Sequence, residues 1–282
     1  MSADGALRPL GFAKMHGLGN DFVVIDARGR VDPITPARAR AIGDRHRGVG
    51  FDQLAVILND EGGADARLVF WNADGSTAGA CGNATRCIAS RLMAESGAGR
   101  LTLRTERGLL ACEGLADGRV RVDMRAPMLG WREVPLAREI DTLSLPLAGA
   151  PAACSMGNPH CTFFVDDAEA VDLAACGAAA ERDPLFPERT NVQFVQILAR
   201  DRARVRVWER GVGVTLASGS SSCAVLVNGV RRGLLDRRAT LILDGGEIEV
   251  EWPSDEAGVL MTGPVATVFE GAFDPAFWDA AR

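Results

Sequence analysis

The chain repeats itself. Ala66-Arg-Leu-Val-Phe-Trp71 returns as Ala203-Arg-Val-Arg-Val-Trp208, an offset of 137 residues. Ala80-Cys81-Gly82-Asn83 returns as Ala217-Ser218-Gly219-Ser220 at the same offset. Gly19-Asn20 returns as Gly157-Asn158, and Gln53 falls against Asn191, both 138 residues on. One such match is within the reach of chance. Several in the same order at a nearly constant offset point to two homologous halves. Like halves commonly pack about a pseudo-twofold axis. Equivalent loops then face each other across the cleft between them, a favoured place for a small ligand. Cys81 and Ser218 are thereby expected to oppose one another across one site.

The local patterns agree. In the first half, the strand-like Arg67–Trp71 runs into the loop Asn72-Ala-Asp-Gly-Ser76. A helical pattern follows from Asn83 to about Glu95, with Ala84, Ile88 and Leu92 at helical spacing and Gly97 as its stop. In the second half, Ala203–Trp208 leads through Glu209-Arg210-Gly211 to a helix from Ser221 to about Arg232. Further helices are expected within 36–47 and 167–180, and closing strands over 239–243, 247–252 and 259–269. Arg125-Ala-Pro127-Met-Leu-Gly130 reads as the boundary. Residues 1–126 then form the half carrying Cys81, and 127–261 the half carrying Ser218.

Composition narrows the chemistry. The net charge of −6 offers no nucleic-acid surface. The N-terminal Met-Ser-Ala-Asp-Gly lacks a signal pattern, and no apolar run approaches a membrane span. The seven cysteines (81, 87, 112, 154, 161, 176, 223) are odd in number and scattered, which suits free thiols. A cytoplasmic protein without membrane attachment is expected. Lys14 is the only lysine, and no phosphate-binding loop lies near it, so a pyridoxal-phosphate Schiff base has no plausible anchor. Neither the Cys81/Cys87 nor the His160-Cys161 spacing resembles a metal site. No cofactor and no metal are expected.

Cys81 sits where a loop enters a helix, and there free N–H groups and the helix dipole favour a thiolate. Two groups facing each other across a carbon can remove a proton on one side and return it on the other. That is the chemistry of a racemase or epimerase without cofactor. Backbone N–H groups of Gly82-Asn83 and Gly219-Ser220 would hold the substrate carboxylate and stabilise the carbanion.

These residues carry a resemblance. Lys14-Met-His-Gly-Leu-Gly-Asn-Asp-Phe22, Gly50-Phe-Asp-Gln53, Asn72-Ala-Asp-Gly-Ser76 with Cys81-Gly-Asn83, Met156-Gly-Asn-Pro-His160 and Trp208-Glu-Arg-Gly211 resemble the diaminopimelate epimerase family over nearly the whole chain. The resemblance implies a cofactor-independent isomerase that interconverts LL- and meso-diaminopimelate, on the route to lysine and peptidoglycan. It implies an α/β (α+β) fold of two pseudo-symmetric halves, each a strongly curved, mostly antiparallel sheet around a central helix. The C-terminal segment 262–282 is expected to return to the first half.

By motif, Cys81 matches a catalytic thiol and His160 a histidine beside the reacting centre. Asn20, Gln53, Asn72, Asn158 and Asn191 match amides that hold the substrate. Glu209 and Arg210 match the pair that recognises its distal end and orients the site. Gly82, Asn83, Gly219 and Ser220 match the carboxylate-binding helix starts. A symmetric homodimer is the default for such an enzyme.

The chain departs from the family pattern at Ser218, where the second catalytic cysteine is expected. Val214 also stands where many members carry glutamate, and Ser221 and Ser222 replace the usual small residues before Cys223. A hydroxyl is a far weaker acid than a thiol and needs a neighbouring base. Three readings stay open at this point. The serine is an engineered replacement; or it is natural and relays a proton through His160, Glu209 or water. Otherwise the scaffold serves a related racemase, epimerase or dehydratase reaction, or binds an amino acid without catalysis.

Overall fold

The structure is a computed structural model that describes residues 10–79 and 81–281. The N-terminal pentapeptide, Ala80 of the repeat and Arg282 lie outside the described residues. The first half runs β1 (Gly11–Gly17), β2 (Asn20–Asp26), α1 (Pro36–Gly43), β3 (Gln53–Leu58), β4 (Ala66–Asn72), β5 (Thr77–Ala78), α2 (Gly82–Ser96), β6 (Arg100–Thr105), β7 (Gly108–Gly114) and β8 (Val120–Asp123). The second runs β9 (Ala152–Ser155), β10 (Pro159–Phe164), α3 (Leu173–Glu181), β11 (Asn191–Ala199), β12 (Arg202–Glu209), β13 (Gly213–Thr215), α4 (Gly219–Arg231), β14 (Arg238–Leu243), β15 (Gly246–Glu251) and β16 (Leu260–Gly263). β17 (Ala266–Ala272) and α5 (Pro275–Ala280) end the chain.

The two halves share one pairing scheme. β2 lies parallel to β3, β3 antiparallel to β4, and β4 parallel to β6. In the same way β10 lies parallel to β11, β11 antiparallel to β12, and β12 parallel to β14. The registers correspond residue by residue. Phe22 pairs with Gln53 as His160 pairs with Asn191, and Leu54 with Trp71 as Val192 with Trp208. The strands are mostly antiparallel, and each set wraps a central helix, α2 or α4. The sequence repeat is therefore a repeat of backbone hydrogen bonding, which fixes Cys81 and Ser218 at equivalent places.

Burial follows from this wrapping. β6 alternates Leu101, Leu103 and Thr105 inward with Arg100, Thr102 and Arg104 outward, the period-two pattern of a sheet with one dry face. The inner faces and the two helices close one continuous apolar core, with Leu92, Leu103, Val205, Leu226 and Val250 among its members. β2 and β3 are buried on both faces. Their outer residues Val23, Ile25, Leu54 and Val56 pack with Ile42 of α1 and Phe273 beside α5 in a second cluster. The first three turns of α2 and most of α4 therefore have little contact with water, and even most of their polar residues are buried.

The halves are joined by strands. β16 pairs with β15 on one side and with β8 on the other, and β17 then pairs with β1. The reading of a single strand over 259–269 is corrected to two: Pro264 has no N–H to give a ladder, and the chain turns there from β8 to β1. The helix expected within 167–180 starts only at Leu173, capped by Asp172, whose Oδ1 accepts from Ala175 N at 3.0 Å. β9 and the short α5 were not legible in the sequence pattern. None of the described helices is long and apolar enough to cross a membrane.

Candidate active site

α2 and α4 begin alike. Cys81 is the N-cap of α2, and its sulfur accepts from Ala84 N at 3.5 Å; Ser218 is the N-cap of α4. Thr85 Oγ1 donates to the Cys81 carbonyl at 2.8 Å, and Ser222 Oγ donates to the Ser218 carbonyl, also at 2.8 Å. Sequence reading passed over this shared back-bonding of Thr85 and Ser222, although the 137-residue offset pairs them.

The caps then differ. Ser218 makes no side-chain cap; its hydroxyl turns instead to Glu209 Oε2 at 3.0 Å. Glu209 ends β12, and burial pushes its carboxyl above the usual range, against the hydrogen bond from Ser218. A carboxylate with a raised pKa is a stronger base, and it is placed to take the serine proton.

Cys81 behaves differently from the thiolate expected of a helix start. Burial pushes its thiol up to about 12, aided by the charge of Glu209 and only partly offset by the Ala84 N–H. Desolvation outweighs the helix dipole, so the resting group is the thiol.

Asn20 and Asn158 reach the two helix starts, through Asn83 and at Ser220, and each of the amides is itself held. Asn20 donates to Asp52 Oδ2 at 2.8 Å and accepts from Asn83 Nδ2 at 3.1 Å. Asn83 also donates to the carbonyl of Ala217 at 3.4 Å, so an α2 side chain tethers the residue before Ser218. Its Oδ1 is buried without a partner among the described residues. Gln53 donates to Asn72 Oδ1 at 3.2 Å, and Asn72 to Ser76 Oγ at 3.0 Å. Asn191 donates to the Pro159 carbonyl at 2.9 Å and accepts the Arg210 N–H at 3.0 Å. Asn158 lies 3.5 Å from Ser220 Oγ. Gly82 and Gly219 open the two helices, both buried.

Asn158 and Arg210 share a cavity of about 240 Å³ with Arg132, Glu133, Ser155 and Glu188. A larger cavity of about 520 Å³, lined by Asp65, Arg100, Glu113 and Arg121, contains none of these site residues.

His160 is fully buried, and both ring nitrogens are occupied. Nε2 faces Asn158 Oδ1 at 3.0 Å, and Nδ1 faces Gln193 Nε2, also at 3.0 Å. An amide donor at Nδ1 and an amide acceptor at Nε2 select the neutral tautomer protonated on Nε2. Burial, with the charges of Arg107 and Arg210, lowers its pKa to about 3. A relay from Ser218 through His160 has no open nitrogen to use. The ring orients Asn158 instead. Gln193, which also donates to Ser221 Oγ at 3.1 Å, is a support that sequence reading did not single out; a polar residue between Val192 and Phe194 of β11 was its only signal.

Two helix starts from pseudo-equivalent halves, carrying a thiol and a carboxylate-backed hydroxyl amid amides, define an isomerase of the amino-acid racemase and epimerase class. The comparisons sharpen this. The profile described as diaminopimelate epimerase matches residues 12–129 and 152–268. A diaminopimelate epimerase of Acidiphilium cryptum is 56% identical over 96% of this chain and 98% of its own. That of Rhodospirillum centenum is 54% identical over 92% of this chain and 91% of its own. A hydroxyproline epimerase from Agrobacterium vitis shares the fold, with a TM-score of 0.69 at 16% identity, covering 96% of this chain and 94% of that one. The chain belongs to the diaminopimelate epimerase family and is an epimerase of the cofactor-independent type.

Proposed function

We propose that the chain interconverts LL- and meso-diaminopimelate with two unlike acid–base groups, the Cys81 thiol on one face of the α-carbon and the Ser218–Glu209 pair on the other. The observation that carries this reading is the 3.0 Å hydrogen bond from Ser218 to Glu209. In one direction the α-proton passes to Ser218 Oγ as the serine proton passes to Glu209. The Cys81 thiol gives its proton to the opposite face. The product leaves Cys81 as thiolate and Glu209 protonated, which is the state required for the reverse direction. The free N–H groups at the starts of α2 and α4 hold the α-carboxylate and the charge that develops on it. Asn20, Gln53, Asn72, Asn158, Asn191 and Arg210 orient the rest of the zwitterion. His160 acts through Asn158.

The test is solvent exchange. In D₂O both isomers are expected to take up deuterium at the α-carbon, with inversion, as read by NMR and chiral chromatography. Exchange without inversion would leave only one face active. Binding with no exchange of either isomer would remove the catalytic reading.

The same proposal divides the chain into residues 1–126 with 262–282, carrying Cys81, and 127–261, carrying Ser218. The pairing of β17 with β1 supports it. A homodimer is proposed on the edge of β17, which pairs only with β1 among the described residues and exposes Val268 and Phe269. Light scattering of Phe269→Asp, expected to be monomeric, tests it. A cytoplasmic location is proposed from the seven free cysteines.

A further inference from the structure

Arg86 lies in the second turn of α2, and its side chain is 0% exposed. Its guanidinium meets no carboxylate among the described residues. Nη1 points at Met261 Sδ at 3.3 Å, while Nε and Nη2 have no partner. Glycine makes room for it on two sides. A Cβ on Gly17 would stand 2.9 Å from Nη2, and one on Gly263 would stand 3.2 Å from Cζ. Met261, which it touches, spans both helix starts: a Cβ on Gly82 would meet its Cε at 2.8 Å, and one on Gly219 its Sδ at 2.8 Å. Arg86, the only fully buried arginine among the described residues, thus sits beside the thioether that packs under both proposed carboxylate-binding turns.

An unpaired buried guanidinium is costly, and an apolar side chain of similar volume would serve packing better. Its counter-charge is therefore sought in what the site acquires during turnover: the substrate carboxylate, the negative charge that develops on it, and the thiolate of Cys81. We propose that Arg86 is a positioning residue of the epimerase reaction, supplying from beneath the two helix starts the positive field in which these negative charges form. This rests on the reading of Cys81 as an acid–base group. The groups that face Cys81 are Glu209, whose charge opposes thiolate formation, the Cys87 thiol and Arg86, whose charge favours it. The groups that face Arg86 are Cys81, Cys87 and Cys223, and no acid balances it.

The experiment compares Arg86→Met and Arg86→Lys with the parent. The readouts are thermal stability, KM and kcat, and the rate at which iodoacetamide alkylates Cys81 at a fixed alkaline pH, followed by peptide mapping. Arg86→Met is expected to melt no lower than the parent. Its Cys81 should alkylate about tenfold more slowly, because less thiolate is present, and kcat/KM should fall by about tenfold or more. Arg86→Lys should recover most of both. Mere loosening of the core would expose the sulfur and speed alkylation, the opposite sign. Alkylation as fast as or faster than the parent, or an Arg86→Met chain that does not fold, overturns the proposal. If alkylating Cys81 in the parent leaves its activity intact, the Cys81 reading itself fails and takes this inference with it. That outcome is told apart because it needs no Arg86 variant.

Discussion

The hydroxyl of Ser218 donates to Oε2 of Glu209 at 3.0 Å, across the nine residues that separate the end of β12 from the start of α4. The carboxylate is poised above its ordinary pKa by burial. Glu209→Gln keeps the shape and removes the base. It is expected to lower kcat by about 10²–10⁴-fold. The pH profile supplies the sign. Glu209 acts as a base only when ionised, so activity should fall as pH drops through its raised pKa. The acidic limb of kcat/KM therefore lies above 4.5, the ordinary value for glutamate. Steady-state rates against pH check both statements, and the limb should vanish in Glu209→Gln.

Ser218→Cys replaces the weak acid of the pair with a stronger one, beside the same carboxylate. Turnover is expected to rise by about tenfold or more, since a thiol needs less help to ionise than a hydroxyl. Ser218→Ala should instead abolish inversion while exchange at the Cys81 face persists. Epimerisation rates and deuterium incorporation, measured on the same samples, separate the two effects. No gain from Ser218→Cys would mean that the site around position 218 serves another substrate geometry.

His160 should stay neutral throughout the working range. Its pKa is lowered to about 3 by burial, so the imidazole gives no limb near neutral pH in the rate profile. The fold binds its neutral form. Stability is therefore full above the unfolded value of 6.5 and is lost as pH falls from there towards 3. The slope from this one group approaches about 1.4 kcal/mol per pH unit. His160→Leu leaves Asn158 Oδ1 and Gln193 Nε2 without their ring partners and is expected to cost about 1–3 kcal/mol. Denaturant titration and imidazole NMR shifts between neutral pH and pH 5 are the measurements.

Much of this architecture was legible in the sequence, because the repeat is written in residues whose role is backbone pairing. Trp71 and Trp208 match in letters, and they pair with Leu54 and Val192 in the same register. Asn20 and Asn158 matched because both helix starts need an amide beside them. The rest depended on depth, which a local pattern does not carry. A helix start alone argued for a Cys81 thiolate, and burial reversed it. Gly-Asn-Pro-His gave no sign that both nitrogens of His160 are occupied, since Gln193 comes from a neighbouring strand. Nothing in the local pattern marks Arg86, whose burial comes from the sheet wrapped round the first turns of α2.

Asp52 holds Asn20 and is itself braced by Asp21, and that support should show as acid sensitivity. Burial alone would raise the Asp21 carboxyl, but hydrogen bonds from Arg45 and Lys14 overcome it and hold the pKa at about 2. Arg45 Nη2 reaches Asp21 Oδ1 and Asp52 Oδ1 at 2.8 Å each, and the Lys14 amine bonds to Asp21 and to the Gly50 carbonyl. Asp21 and Asp52 also exchange backbone N–H bonds at 3.1 Å, so the carboxylate that accepts from Asn20 is itself fixed. A depressed folded pKa contributes stability that is present above the unfolded value of 3.8 and is lost as pH falls through 2. The contribution is about 2 kcal/mol at neutral pH. Asp21→Asn is expected to remove it and to raise KM by freeing Asn20, with a smaller change in kcat. Urea melts of parent and variant should differ by that amount at neutral pH and converge only below about pH 2. An unchanged KM would mean that Asp52 keeps its hold on Asn20 without Asp21.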